Sequence, residues 1–194
     1  MILIDIGNTN IVFAVSANNL IKKIIRINTK QNKIKLKTLI NSIIVNYSSI
    51  KRLDNNKIAI ISSVVPSLNY LIINILKKNL IKGLIITSKD ILPFLKINYN
   101  LKEIGADRLA NSTAIIINKI SNSIVIDFGT ATTFEVIKNN IFLGGIIFPG
   151  INLSKNTLIN EASLLKNTTV MKTRELLLII LRNQFNQVFI GDIY

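Results

Sequence analysis

Apolar and polar positions along this 194-residue chain change period several times, and each change marks an element. Residues Ile2 to Val15 hold an apolar run, a Gly7-Asn8-Thr9-Asn10 turn and a second apolar run, which predicts a β-hairpin. Leu20 to Asn28 predicts a third strand. Between Lys33 and Tyr47 the apolar residues Leu36, Leu39, Ile40, Ile43 and Ile44 recur at helical spacing. Ile58 to Ile61 is a short buried strand leading into Ser62-Ser63-Val64-Val65-Pro66. A helix over Leu68 to Leu80 and a strand over Gly83 to Thr87 follow. A lysine-rich stretch up to about Gly105 reads as loop, and Asp107 to Lys119 reads as a helix.

The pattern then restarts. Ser123 to Phe128 is strand-like, Gly129-Thr130-Ala131-Thr132-Thr133 reads as a turn, and Phe134 to Asn140 leads into a second hairpin arm. Ile141 to Phe148 makes a third strand. Two strand–turn–strand units therefore place an Asp at the end of their first strand, in IDIGNTN and IDFGTAT. Such self-similarity signals an internal duplication. The expected division is 1–117 and 118–194, at the end of a helix.

Composition narrows the chemistry. Hydrophobic residues make up 49% and charged residues 18%, enough apolar surface for a globular fold. The chain has no cysteine and no histidine, which excludes disulfides, Cys-based zinc sites, His general bases and Ser-His-Asp triads. Acid–base work falls on Asp, Glu, Lys or Tyr. The net charge of +14 raises a nucleic-acid reading. The lysines, however, are scattered without interleaved aromatics, so the charge reads as a solvated surface and no nucleic-acid partner is expected. The N-terminus has no basic region before its apolar run, and no stretch nears the roughly 20 apolar residues of a membrane helix. A soluble, cytoplasmic protein with no membrane partner is the expectation.

An apolar strand ending in Asp-x-Gly-[Asn/Thr]-Thr suits phosphate chemistry. Glycine lets the backbone turn tightly beside a ligand, and successive N–H groups and hydroxyls then face outward as donors. The strand-end carboxylate can hold a hydrated cation. Two copies, Asp5 to Thr9 and Asp127 to Thr133, suggest two lobes clamping a nucleotide.

Five motifs in order then make the chain resemble the type III pantothenate kinase family. They are Asp5-Ile6-Gly7-Asn8-Thr9, Ser62 to Pro66, Gly105-Ala106-Asp107-Arg108, Asp127 to Thr133, and Gly144-Gly145-Ile146-Ile147-Phe148-Pro149-Gly150. The resemblance implies an α/β fold of duplicated actin-like (ribonuclease H-like) domains, with mixed sheets flanked by helices. It also implies ATP-dependent phosphorylation of pantothenate to 4′-phosphopantothenate, the first step of coenzyme A biosynthesis, in a homodimer.

Carried onto this sequence, the resemblance makes Asp107 the general base and Arg108 the partner of the pantothenate carboxylate, with Tyr99, Gly105 and Ala106 beside the substrate. Asp5, Gly7, Asn8 and Thr9 would meet the ATP phosphates and Mg²⁺, with Thr130, Thr132 and Thr133 meeting the phosphates from the second lobe. Asp127 would ligate a monovalent cation, K⁺ or NH₄⁺. Gly144, Gly145 and Gly150 would let the backbone run close to adenosine and substrate. The proline that follows the family's tyrosine is absent after Tyr99.

The resemblance fades after Leu165. The tail TRELLLIILRNQFNQVFIGDIY lacks the family's AIQSGIYWGY-like segment. An allowed codon choice for Leu181 to Tyr194, read in a shifted frame, translates as KKSIQSGIYWGY. The expectation is therefore a second domain left incomplete, with about 166–194 out of frame, and a product of low activity. The alternative functional reading is a non-catalytic relative or an inactive remnant.

Overall fold

The computed structural model describes residues 1–17, 20–48, 57–161 and 188–190. The chain forms two compact units. The first comprises Met1–Ile91 with Ile104–Ala110, the second Leu92–Glu103 with Asn111–Tyr194.

In the first unit, β1 (Ile2–Ile6), β2 (Asn10–Ala17) and β3 (Leu20–Asn28) form an antiparallel meander. Then β4 (Ile58–Ser63) and β5 (Lys82–Ile85) add in parallel, giving the sheet order β3-β2-β1-β4-β5. Parallel addition needs crossovers, which α1 (Lys33–Ser48) and α2 (Pro66–Lys78) supply. Pro66 opens α2, where its missing N–H costs nothing. Alternation along β1 sends Ile2, Ile4 and Ile6 to one face. There they join Ile11, Phe13, Ala59 and Ile61 against Leu36, Ile40, Ile44 and Tyr47 of α1 and Ile72, Ile75 and Leu76 of α2. This is a fully covered core. The opposite face carries Leu3 and Asp5.

The second unit repeats the plan. β7 (Ser123–Phe128), β8 (Ala131–Lys138) and β9 (Ile141–Pro149) are antiparallel neighbours, and β10 (Val188–Ile190) lies parallel to β7. The order is β10-β7-β8-β9-β6, with the two-residue β6 (Lys96–Ile97) parallel to β9. The run β9-β8-β7-β10 reproduces β3-β2-β1-β4 in order and direction. This repeat is the duplicated ribonuclease H-like, actin-like fold that the resemblance implies.

α4 (Ala106–Ile117) contributes Ala106–Ala110 to the first unit and Asn111–Ile117 to the second. The expected division at 117/118 concerns the same helix. Within the second unit, Ile115 packs on Val125 of β7 and Ile137 of β8. α5 (Ile151–Glu161) exposes Ile151, Leu153 and Leu158, and β9 exposes Ile146, Ile147 and Phe148.

Two local expectations change. The stretch before Gly105, read as loop, contains α3 (Ser88–Ile91), β6 and a 3₁₀ turn at Leu101–Glu103. Asp90 of α3 closes back on Thr87, its carboxylate accepting from the Thr87 N–H at 2.8 Å and hydroxyl at 2.6 Å. These hydrogen bonds, the hydroxyl's first, hold the Asp90 carboxyl below its ordinary value. The segment Gly129–Thr133 is a turn only at Gly129 and Thr130, because β8 already starts at Ala131. Most of the tail expected to be out of frame, 166–187 and 191–194, lies outside the described residues.

Candidate active site

The first Asp-bearing turn is braced on both sides. The Gly7 N–H donates to the Asn10 carbonyl at 2.9 Å, closing the turn. The Thr29 hydroxyl donates to the Gly7 carbonyl at 2.8 Å, and its N–H donates to the Thr9 carbonyl at 2.8 Å. The Val64 N–H donates to the Ile6 carbonyl, which ties Ser62 to Pro66 to the base of the turn. Asp5 sits opposite Val12 on β2 and Ser62 on β4 and is exposed. Beside it is a hollow of about 200 Å³ lined by Leu3, Ile4, Val12, Ala14, Ile60, Ser62 and Ile86. Asp5 is the charged residue on its wall. The Ser62 hydroxyl, buried there, has no hydrogen-bond partner among the described residues.

The second turn is shorter by one residue. Ile6 pairs with Ile11 in the first hairpin, whereas Phe128 pairs with Thr132 in the second. The Gly129 N–H donates to the Ala131 carbonyl at 3.0 Å. Gly150 lies against this turn, its N–H donating to the Thr130 carbonyl at 2.9 Å. A Cβ at Gly150 would collide with the Gly129 and Thr130 carbonyls, so only glycine permits this approach. Gly150 also starts α5, its carbonyl accepting from the Ser154 N–H.

Because Thr132 and Thr133 are consecutive strand residues, they point to opposite faces. Thr133 is the Cα partner of Asp127, so the two share a face. Thr132 shares the other face with Phe128 and Phe148 and is buried. Thr130 is exposed in the turn itself. The three threonines expected to act together are thus split: Thr130 at the tip, Thr133 beside Asp127, and Thr132 behind. α4 places Asn111 over Asp127, its side-chain amide donating to Oδ2 at 3.3 Å. On the same face the Thr133 hydroxyl donates to Oε2 of Glu135 at 3.3 Å.

Gly105 to Arg108 form the start of α4. Asp107 lies in the first helical turn, half-buried, and its Oδ1 accepts from the Arg108 N–H at 2.8 Å. That bond fixes the carboxylate where the helix dipole favours negative charge. A side chain at Gly105 would occupy the space of Asp107 Oδ1. Glycine at 105 therefore keeps room for the carboxylate. Ala106 is half-buried and Arg108 is 9% exposed. In the second unit the ring of Tyr99, 46% exposed, lies across Gly144. Gly144 has φ +122, a conformation open to glycine, and a Cβ there would press on the ring at 3.2 Å. Gly145 is exposed on β9.

Sequence reasoning passed over Thr29, Asn111 and Glu135. Asn111 was within reach, since it lies four residues after Asp107 and helical spacing stacks i and i+4. Glu135 was visible as a carboxylate inside an apolar strand. Nothing local in the sequence ties Thr29 to Gly7.

A family model described as type III pantothenate kinase matches residues 1–192. A type III pantothenate kinase of Pelagibacter ubique (strain HTCC1062) is 37% identical over 175 residues, covering 89% of this chain and 68% of that protein. The chain belongs to the type III pantothenate kinase family. The Brevibacillus brevis (strain 47 / JCM 6285 / NBRC 100599) type III pantothenate kinase is 33% identical over 180 residues, covering 89% of this chain and 68% of that one. A solved Campylobacter jejuni structure described as a Baf family transcriptional activator superposes with a TM-score of 0.55 at 20% identity, over 97% of this chain and 81% of that one. It shares the fold. As a kinase of this family, the chain uses ATP. No described helix is long and apolar enough to cross a membrane.

Proposed function

We propose that this type III pantothenate kinase family member transfers the terminal phosphoryl group of ATP to the primary hydroxyl of pantothenate, giving 4′-phosphopantothenate and ADP. This opens coenzyme A biosynthesis. The observation that supports it best is the Asp107 carboxylate, held by the Arg108 N–H in a space left clear by Gly105.

Asp107 would take the proton as the substrate oxygen bonds to the γ-phosphorus and the bond from that phosphorus to the β–γ bridging oxygen breaks. Phosphoryl transfer asks mainly for positioning and charge stabilisation, which a fixed carboxylate base fits. Arg108 would pair with the pantothenate carboxylate through its planar fork. Tyr99, Gly105 and Ala106 would border the substrate.

Asp5, Gly7, Asn8 and Thr9 would receive the ATP phosphates at the first turn, and Thr130 with the backbone at the second. Thr132, buried on the opposite face, and Thr133, beside Asp127, follow Thr130 in the same motif. The donor sets fit the cations this chemistry uses. Asp5 is one exposed carboxylate at a strand end, suited to Mg²⁺ that keeps waters and leans on substrate phosphates. Asp127, with Thr133 opposite it, offers oxygen ligands to a monovalent cation. When bound, such cations neutralise the charge of the triphosphate. A cytoplasmic homodimer without nucleic-acid or membrane partners completes the reading.

The test is a phosphorylation assay with pantothenate, ATP and potassium, on this chain and on a frame-restored chain. Asp107→Asn should lower kcat by about 10³-fold while leaving thermal unfolding unchanged, as loss of a general base does. Equal turnover by the variant would sink the assignment.

A further inference from the structure

Glu135 is a fully buried carboxylate that the reaction above does not use. β8 puts Thr133 and Glu135 on one face, two residues apart, and pairs Thr133 with Asp127. The neighbours directly opposite Glu135 are Val125 on β7 and Gly145 on β9. Gly145 has no side chain, which leaves that flank open to the longer Glu135. Asn111 closes the face from α4 by donating to Asp127.

We propose that Glu135 is a positioning residue that fixes the polarity of the Thr133 hydroxyl. A hydroxyl has one proton, and an ionised carboxylate only accepts. With its proton given to Glu135 Oε2, Thr133 Oγ1 presents lone pairs beside Asp127. The pair then offers acceptors to a cation and no proton to a phosphate oxygen. Thr133 thereby leaves the set of phosphate donors, which keeps Thr130 and the turn backbone. This inference rests on the kinase reading for its two ligands.

The experiment follows thermal unfolding of the full chain while potassium is titrated against choline at constant ionic strength. A second titration uses a non-hydrolysable ATP analogue. The variants are Thr133→Val, Thr133→Ser and Glu135→Gln. Val and Gln should each raise the potassium midpoint about tenfold, the scale of losing an outer partner of a metal ligand, and move the analogue midpoint by less than about twofold. Ser, which keeps the hydroxyl, should match wild type. A raised analogue midpoint with an unmoved potassium midpoint would return Thr133 to the phosphates and overturn the proposal. Two unmoved midpoints in Thr133→Val would overturn it as well, whether or not Glu135→Gln folds. A wild-type chain answering potassium and analogue alike with no stabilisation overturns the kinase reading together with this one.

Discussion

The two Asp-bearing hairpins share a motif and differ in what surrounds the carboxylate. Asp5 stands exposed at the edge of an apolar hollow, opposite Val12 and a buried Ser62 hydroxyl. Asp127 is half-buried opposite Thr133, under Asn111, with Glu135 farther along the face. One residue of turn length separates the two cases. In a strand, a shift by one residue exchanges the two faces. The shorter second turn therefore sets a threonine opposite Asp127 where the longer first turn sets a valine opposite Asp5. A duplicated motif has kept its carboxylate while its neighbours have specialised.

The sharpest way to break this comparison is to neutralise each carboxylate alone. Asp5→Asn and Asp127→Asn should each lower kcat/KM by about a hundredfold, a typical cost for a group that stabilises transferring phosphate charge. Their ion dependences should diverge. Asp5→Asn should raise the magnesium requirement and leave potassium activation in place, and Asp127→Asn should do the reverse. Initial rates across a grid of both ions distinguish the patterns. Identical patterns would mean that the two turns have not specialised.

Most of the architecture was legible in the sequence because it rests on period. The apolar runs flanking Gly7-Asn8-Thr9-Asn10 and the helical spacing in Leu36–Ile44 report directly on strands and a helix around a core. The restart at Ser123 reported the duplication. The stretch Ser88–Ile97 was not legible, since a four-residue helix and a two-residue strand are too short to show any period. The Thr87–Asp90 pair was its one local signal. At the site, the motif letters named the residues but not their directions. Reading Gly129–Thr133 as one turn hid the fact that Thr132 and Thr133 occupy opposite faces. Turn length depends on the hydrogen bonds of Gly129 and Gly150, and Gly150 lies twenty-one residues farther along.

The braces of the two turns also differ, and this gives a smaller effect. The second turn is held by backbone from Gly150, so substitution there meets atoms that cannot swing aside. Gly150→Ala should destabilise the chain by about 2 kcal/mol, the usual cost of forcing a methyl into filled space. Because Asp127 stands at the base of that turn, the same variant should weaken stabilisation by potassium. Denaturant unfolding with and without potassium checks both. An unchanged midpoint would show that the turn tolerates a wider approach.

The first turn is held by a side chain, which makes its brace removable with little collateral change. Thr29→Val keeps the shape, and it keeps the Thr9 bond because that one uses the Thr29 backbone N–H. It deletes only the hydroxyl donated to the Gly7 carbonyl, at 2.8 Å and part-buried. The cost should be about 1 kcal/mol, the net worth of one such hydrogen bond. The functional effect should be confined to the first turn. A looser Gly7 carbonyl lets Asn8 and Thr9 wander, so KM for ATP should rise about threefold while the potassium midpoint stays fixed. Thr29→Ser, which restores the hydroxyl, should recover the KM. If the KM instead stays at the wild-type value in Thr29→Val, the first turn is rigid through the backbone bonds of Asn10, Thr29 and Val64, and the two hairpins are braced by backbone in the same way.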